Sequence, residues 1–306
     1  MPQNENALTA QDVADALQVS RNTVYNLVRS GELSSYTVGR KMRFTLDDLN
    51  DYIERSRGGK KQPRSDTVTR PDDGATLRLV GTDISADILA NWLSQAGITV
   101  ERDYEHSYQA LISLYRGTSN AALVHIYDQR TQRFNIPYIQ RLVPGIPVCT
   151  IHIAKRRCGL LVRKGNPQGL RRWRDLLREG VVIANQQPGS GERILLDEMM
   201  VALDAGLVRP EGYQRVYASP MNAALAVAQG DATVSIGNER TYHQVEGLDF
   251  LPLATESIDL VVRKSVHLND VLHEIRRICS SRGFAEDIAG NVGYDPKGCG
   301  TIIYEL

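Results

Sequence analysis

Two groups of residues in this chain have types and spacings that could do recognition chemistry. The first is Ser20-Arg21-Asn22-Thr23-Val24-Tyr25-Asn26. On a helix that buries Val24, Leu27 and Val28, the side chains of Arg21, Asn22, Thr23, Tyr25, Asn26 and Arg29 lie off the apolar stripe. Arginine forks onto guanine, asparagine onto adenine, and a hydroxyl or a helix N-terminus onto phosphate, so this is the inventory of a helix that reads a DNA major groove. Ser20 is placed to cap that helix. Arg40, Lys41 and Arg43 follow closely and supply cationic charge for phosphates or a minor groove. The second group occupies four turns: Gly81-Thr82-Asp83, His106-Ser107, Gly189-Ser190-Gly191 with Arg193, and Ala218-Ser219-Pro220. Each opens a helical segment, where unpaired N–H groups and the positive dipole end suit a small anion. Asp83 departs from that chemistry unless it points away or caps its own helix, which leaves room for an organic ligand carrying an amine or hydroxyls.

The elements that position the first group form a small head. Val13, Ala14, Ala16 and Leu17, then Val24, Leu27 and Val28, follow helical spacing on two segments parted by the tight turn Gln18-Val19-Ser20, which is a helix-turn-helix. Gly31-Glu32-Leu33 stops the second helix, and Tyr36 to Phe44 alternates around a Gly39-Arg40 turn as a hairpin wing. Thr45 then caps a closing helix whose Leu46, Leu49, Tyr52 and Ile53 share one face. The order Leu-Thr-x-x-Asp-Val-Ala, Val-Ser-Arg-x-Thr-Val-Tyr, Gly-Glu-Leu, Val-Gly-Arg-x-x-Arg-Phe and Asp-Leu-x-x-Tyr-Ile resembles the excisionase-type winged helix-turn-helix, related to the heads of MerR-type regulators. The resemblance implies a DNA-binding domain over residues 1–56.

Residues 57–75 have linker composition, rich in Gly, Lys, Pro, Ser and Asp. From Thr76 strands and helices alternate: Leu77 to Gly81, a helix from Ser85, Ile98 to Glu101, a helix from Ser107, and Ala121 to Ile126. The grammar restarts at Val181 to Asn185, with helices from Ser190 and Pro220 and strands at Tyr213 to Tyr217 and Ala232 to Gly237. Such order predicts parallel sheet in two α/β lobes, joined by crossover strands at Cys158 to Arg163 and Ile258 to Arg263. Residues 76–306 are thus expected to form one α/β two-lobed body, with lobe one about 76–160 and 260–306 and lobe two about 161–259. This architecture resembles the type II periplasmic-binding-protein fold. More closely it is similar to the binding-protein-like domain that follows such heads in bacterial regulators and ends some molybdopterin-biosynthesis proteins. The matching segments are Ser107-x-x-x-Leu111-x-x-Leu114-x-x-Gly117, Asn135-Ile136-Pro137-Tyr138, Gly165-Asn166-Pro167-x-Gly169, Asn185 to Asp197, and Ala224 to Ala232. The resemblance implies an oxyanion effector, molybdate or tungstate, in the interlobe cleft.

In an open α/β sheet, ligands gather at the carboxyl ends of strands. The expected contacts are Thr82, Asp83, Ser107, His125, Tyr127, Ser190, Gly191, Arg193 and Ser219. His125 is also readable as a satisfied structural histidine, and Arg193 is equally spaced to pair with Asp197. The basic runs Lys155-Arg156-Arg157 and Arg171-Arg172-Trp173-Arg174 read as solvated faces rather than a second nucleic-acid surface.

Composition narrows the function. The 306 residues carry 36 basic and 36 acidic side chains, so no polycationic body holds nucleic acid non-specifically, and DNA affinity must come from local charge and paired heads. No apolar run reaches membrane-spanning length and the N-terminus lacks a targeting pattern, so a cytoplasmic protein without membrane contact is expected. Cys149, Cys158, Cys279 and Cys299 are scattered and the histidines lack metal spacing, so four buried or semi-exposed thiols, no structural metal and no cofactor are expected. No catalytic set stands out, which argues against an enzyme. The reading is a ligand-responsive bacterial transcriptional regulator, a homodimer on a double-stranded DNA operator with a small-molecule or oxyanion effector. The rivals are an enzyme or metal-delivery protein tied to molybdenum cofactor biosynthesis, and a phage or plasmid architectural factor.

Overall fold

The computed structural model describes residues 8–17, 19–29, 33–38, 41–45, 48–49, 52, 76–206 and 208–306. Backbone contacts divide the chain into two units, Met1–Val68 and Thr69–Leu306. The expected linker, the turn residues Gln18, Gly39 and Arg40, and Leu46 and Ile53 of the closing helix lie outside the described residues.

In the first unit, α1 (Ala10–Leu17) and α2 (Arg21–Arg29) pack against a hairpin of β1 (Tyr36–Val38) and β2 (Lys41–Arg43). Thr9 opens α1 with a reciprocal cap: its hydroxyl accepts from Asp12 N at 3.2 Å, and Asp12 Oδ2 accepts from Thr9 N at 2.8 Å. Thr45 and Asp48 repeat the device at 3.1 and 2.8 Å, which fixes where the closing segment begins. Val13, Ala14, Val24, Leu33, Phe44 and Leu49 are buried together, so two short helices that could not persist alone are held by one shared core. Ala16, expected on the apolar stripe, is exposed instead, because the stripe is already complete with Val13, Ala14 and the half-buried Leu17.

The second unit is built on one curled sheet of ten strands. Its main path runs β10 (Val216–Tyr217), β9 (Ile183–Gln186), β11 (Val234–Asn238), β8 (Val148–Arg163), β12 (Leu248–Arg263), β5 (Ala121–Val124), β3 (Thr76–Val80) and β4 (Thr99–Asp103). Pairing is parallel within each end, as alternating strands and helices require, but antiparallel at the centre, where β8 and β12 run side by side for sixteen residues each. β13 (Tyr294–Asp295) and β14 (Ile302–Glu305) also pair with β8.

Strand alternation decides which helix each face receives. Leu77, Leu79, Leu123, Ile151, Ile153 and Leu260 meet α3 (Ile84–Gln95), α9 (Asn269–Cys279) and α10 (Arg282–Ala289). Val80, Ala122, Val124 and Val261 point the other way, onto α4 (Ser107–Arg116) and α5 (Ile136–Leu142). In lobe two, Leu160, Val162, Ile183, Val234 and Ile236 pack on α6 (Gly191–Ala202), while Leu161 and Ala184 meet α7 (Pro220–Gln229). A short helix, α8 (Glu239–Gln244), follows β11.

The crossover differs from the expectation. Cys158–Val162 of β8 pair with β11 in lobe two, whereas Lys155 and Arg156 pair with β13 and Cys149–Ile151 with β14. Asp259–Val262 of β12 pair with β5 in lobe one. The chain therefore passes between lobes near Arg156–Arg157 and Thr255–Glu256, earlier on each strand than the segments that looked like hinges. Those segments were conspicuous for apolar content, which marks strand burial and not lobe exchange. Cys149, Cys158 and Cys279 are buried, Cys299 is partly so, and all four are free thiols.

Candidate functional site

The outer face of α2 is bare. Arg21, Asn22, Tyr25 and Asn26 are exposed while Val24 beneath them is fully buried, so the core fixes the helix without using these polar side chains. Ser20 Oγ accepts from Thr23 N at 3.1 Å and meets the Thr23 hydroxyl at 2.8 Å, so both hydroxyls serve the cap. Arg21 donates to Tyr25 OH at 3.3 Å one turn on, which pre-orients the guanidinium along the helix. On the wing, Arg43 donates to the Met42 carbonyl at 3.0 Å. Arg40 lies outside the described residues, as does the Lys41 side chain.

The body carries a cleft of about 500 Å³, within the range of small-molecule pockets. Lobe one contributes the turn Thr82-Asp83, Tyr104, His106 and His125; lobe two contributes Gln186, Glu192, Ser219, Asn238, Arg240 and Thr241; Arg156 and Tyr294 line it at the crossover. Ser219 caps α7, its hydroxyl accepting from Asn222 N at 3.1 Å.

Arg156 organises the floor. Its guanidinium donates to Glu256 at 2.7 Å, to Asp83 at 2.6 Å and to Tyr294 OH at 2.9 Å, and stands 3.9 Å from Glu192. Asp83 does cap its helix: Oδ1 accepts from Ser85 N at 2.9 Å and from the Ser85 hydroxyl at 2.6 Å, while Oδ2 takes Arg156 and Tyr294. Burial pushes the Asp83 carboxyl up, but the charges of Arg156 and His125 and the Ser85 hydrogen bonds hold it below the usual carboxylate range. Burial likewise opposes a charged His125, yet the adjoining Glu192 and Glu256 raise it above its ordinary value against Arg156. Glu192 is brought down to about 2, because His125 and Arg156 overcome burial. Three buried carboxylates thus face two buried cations.

Of the expected ligand contacts, Thr82, Asp83, His125 and Ser219 line the cleft, while Ser107, Tyr127, Ser190, Gly191 and Arg193 do not. Ser107 is buried under His125, accepting from its backbone N–H at 3.2 Å. Ser190 caps α6 through Arg193 N at 3.2 Å. Gly191 touches lobe one: a Cβ there would lie 2.3 Å from His125 Cδ2 and 2.5 Å from its carbonyl oxygen. Gly189 is likewise closed over by Gln109, and its carbonyl accepts from Tyr108 N at 3.2 Å. The glycine turn that looked like an anion cradle is therefore the place where lobe two presses on lobe one. Arg193 donates to Asp197 at 3.2 Å and lies 4.0 Å from the Tyr213 ring centroid, the helical pairing its spacing allowed. Tyr127 packs on Phe134 in the hairpin of β6 (Tyr127–Asp128) and β7 (Arg133–Phe134), its hydroxyl donating to Gln129 at 3.1 Å. Ile194 of α6 inserts into a lobe-one core, and Glu198 accepts from Tyr138 OH at 2.8 Å and Gln129 N at 3.0 Å, so α6 clasps both lobes.

The residues missed are Arg156, Glu192, Gln186, Arg240 and Tyr294. Arg156 was hidden in a basic run whose flanks, Lys155 and Arg157, are exposed. Strand alternation was the available signal, since residue 156 must point opposite to both neighbours. By contrast Arg171, Arg172 and Arg174 around a short 3₁₀ turn are exposed as expected.

Ser257, His152 and Asp259 do meet, on a different part of the crossover. Both the Ser257 hydroxyl, at 3.2 Å, and Asp259 Oδ1, at 2.7 Å, face His152 Nδ1, so the ring does not lie between nucleophile and acid as a relay requires. Asn135 completes the knot by donating to Asp259 at 2.6 Å.

Comparison with known proteins follows the same division. Residues 89–279 match the PBP superfamily domain and residues 7–57 a helix-turn-helix domain. The chain belongs to the PBP superfamily. A relative, the uncharacterized protein YvgK of Bacillus subtilis, is 35% identical over 303 residues, covering 97% of each chain. Among solved PBP folds, EhuB in complex with hydroxyectoine superposes with a TM-score of 0.52 at 15% identity, over 73% of this chain and 90% of that one. A phosphate-bound Clostridium perfringens protein gives 0.52 at 11% identity, over 72% and 99%. Among the described residues no helix is long and apolar enough to cross a membrane.

Proposed function

We propose that this PBP-superfamily protein is a transcription regulator that reads double-stranded DNA with α2 and the wing and adjusts that reading to the occupancy of its cleft. The observation that carries this is the coexistence, in one chain, of a core-anchored helix with Arg21, Asn22, Tyr25 and Asn26 unburied and a two-lobed cleft lined by polar groups from both lobes. A ligand that binds one arrangement of the lobes better than another shifts their balance, and linkage then obliges DNA to alter ligand affinity by the same factor. One head with a short recognition helix is a weak reader, so the working unit is a homodimer whose two heads take adjacent half-sites. Selection of bound fragments from random duplex DNA, followed by fluorescence anisotropy with and without candidate ligands, tests the reading. DNA affinity that stays constant at saturating ligand would sink it.

The oxyanion version, with molybdate or tungstate as effector, has Arg240, Thr241 and the capped end of α7 in its favour. Against it stand Asp83 and Glu192, buried carboxylates on the same cleft. The fold is neutral on the point, since its solved neighbours carry hydroxyectoine in one case and phosphate in another. Ligand charge has to be argued from this chain's own residues.

A further inference from the structure

Glu192 is 5% exposed and lines the cleft, yet its cationic neighbours are held at 3.8 Å (His125 Nε2) and 3.9 Å (Arg156 Nη2), too far for hydrogen bonds. Those two cations and its own backbone N–H hold the carboxylate charged, yet neither cation reaches hydrogen-bonding distance, so it keeps lone pairs for a donor in the cleft. Gln186, 3% exposed and on the same wall, is in a matching condition: its Nε2 donates to the Ile236 carbonyl at 2.9 Å, while its Oε1 is buried with no partner. The Ile236 bond fixes which end of the amide is oxygen, so what is missing is a donor. Arg240 presents the opposite condition, a cleft-lining cation that makes no ion pair among the described residues.

Charge counting agrees. Asp83, Glu192 and Glu256 outnumber Arg156 and His125 by one even with the imidazole protonated, and Arg240 stands apart as a positive charge with no ion pair among the described residues. An oxyanion would satisfy Arg240 and leave Glu192 and Gln186 worse off. A simple cation would do the reverse. Ile84, Pro220, Met221 and the ring of Tyr104 add apolar lining that suits carbon, beside polar residues such as Thr82, His106 and Asn238.

Resting on the ligand-sensing reading above, we propose that the cleft binds a small zwitterion of α-amino-acid type, its ammonium donating to Glu192 and Gln186, its carboxylate on Arg240 and its apolar part against Tyr104 and Met221. A quaternary ammonium cannot serve, because it has no N–H to donate.

The test uses the full-length protein. Thermal shift followed by calorimetry is run with the proteinogenic L-amino acids, glycine betaine, sodium molybdate, sodium tungstate and sodium phosphate. At least one amino acid should bind, and its N-acetyl derivative and its methyl ester should each lose about tenfold or more in affinity, since each removes one charge-assisted contact. Glu192→Gln should weaken the amino acid but not its N-acetyl form, and Arg240→Gln should weaken the amino acid but not its ester. The ligand derivatives decide the matter even where a variant folds poorly. Binding of molybdate, tungstate, phosphate or glycine betaine in place of any amino acid overturns the proposal, and so does silence from the whole panel. An amino acid that binds without changing DNA affinity sinks the regulator reading and leaves this one standing. An oxyanion that binds and changes DNA affinity does the opposite.

Discussion

Arg156 and Glu256 stand in direct register on the two antiparallel central strands, and their side chains meet at 2.7 Å with almost no solvent on either. The pair sits where both strands pass from one lobe to the other, and the same guanidinium also holds Asp83 and Tyr294. One cation thus serves two carboxylates and a phenol from three separated stretches of chain. Arg156→Met would strand those carboxylates in a dry site. A loss of about 3–5 kcal/mol is expected, read from urea denaturation of the full chain, and an unchanged midpoint would contradict this account of the floor.

His125 and Glu192 make stability depend on pH in two directions. His125 is raised above its ordinary 6.5 mainly because Glu192 outweighs burial, so its contribution is complete below 6.5 and disappears as pH climbs through the raised value. Glu192 is lowered from 4.5 to about 2, so its contribution is complete above 4.5 and disappears as pH falls toward about 2. Urea midpoints across pH should be highest between 4.5 and 6.5 as far as these two groups decide it. His125→Gln should remove their alkaline decline. If the variant keeps the parent's decline, His125 is not its cause.

Gly191 tests the clasp between lobes. A methyl group there would lie 2.5 Å from the His125 carbonyl oxygen, backbone that cannot swing aside. Gly191→Ala is expected to cost about 1–3 kcal/mol and to push the first turn of α6 off lobe one, carrying Glu192 out of place. Hydrogen exchange at residues 191–196 should rise in the variant; a variant with parental exchange and stability would mean that the contact is loose.

For DNA, Asn22→Ala and Asn26→Ala remove exposed side chains only, so the head should keep its melting temperature. Each is expected to cost about 1–3 kcal/mol in binding to the selected sequence and little on random duplex. Equal losses on both duplexes would move these residues from base reading to backbone positioning.

The head was legible because its signals are local. Thr9, Ser20 and Thr45 mark helix starts by their own hydroxyls, and the apolar spacing of Val13, Ala14, Val24 and Leu27 needs no distant partner. The body was legible as an order of strands and helices, and the glycine turns were found in the right places. What they do was not. Gly191 is glycine because of His125, far away in sequence, and Arg193 chose Asp197 over the cleft. Glu192 was concealed by ordinariness, since an acidic residue in a first helical turn normally needs no explanation beyond the dipole. Its meaning comes only from His125 and Arg156 beside it.

The pairing of the sixteen-residue strands β8 and β12 also bears on how the body comes into being. Lobe two is threaded between these strands, while the main lobe-one core draws Leu77 and Leu123 from before it and Leu260, Ile275 and Phe284 from after it. On a ribosome that core stays open until β12, α9 and α10 have emerged, and its closure must bring together strands of high contact order. Chains that end before β12 lack Leu260, Ile275 and Phe284 for that core, so they are expected to be translated but to aggregate, read as loss of soluble protein.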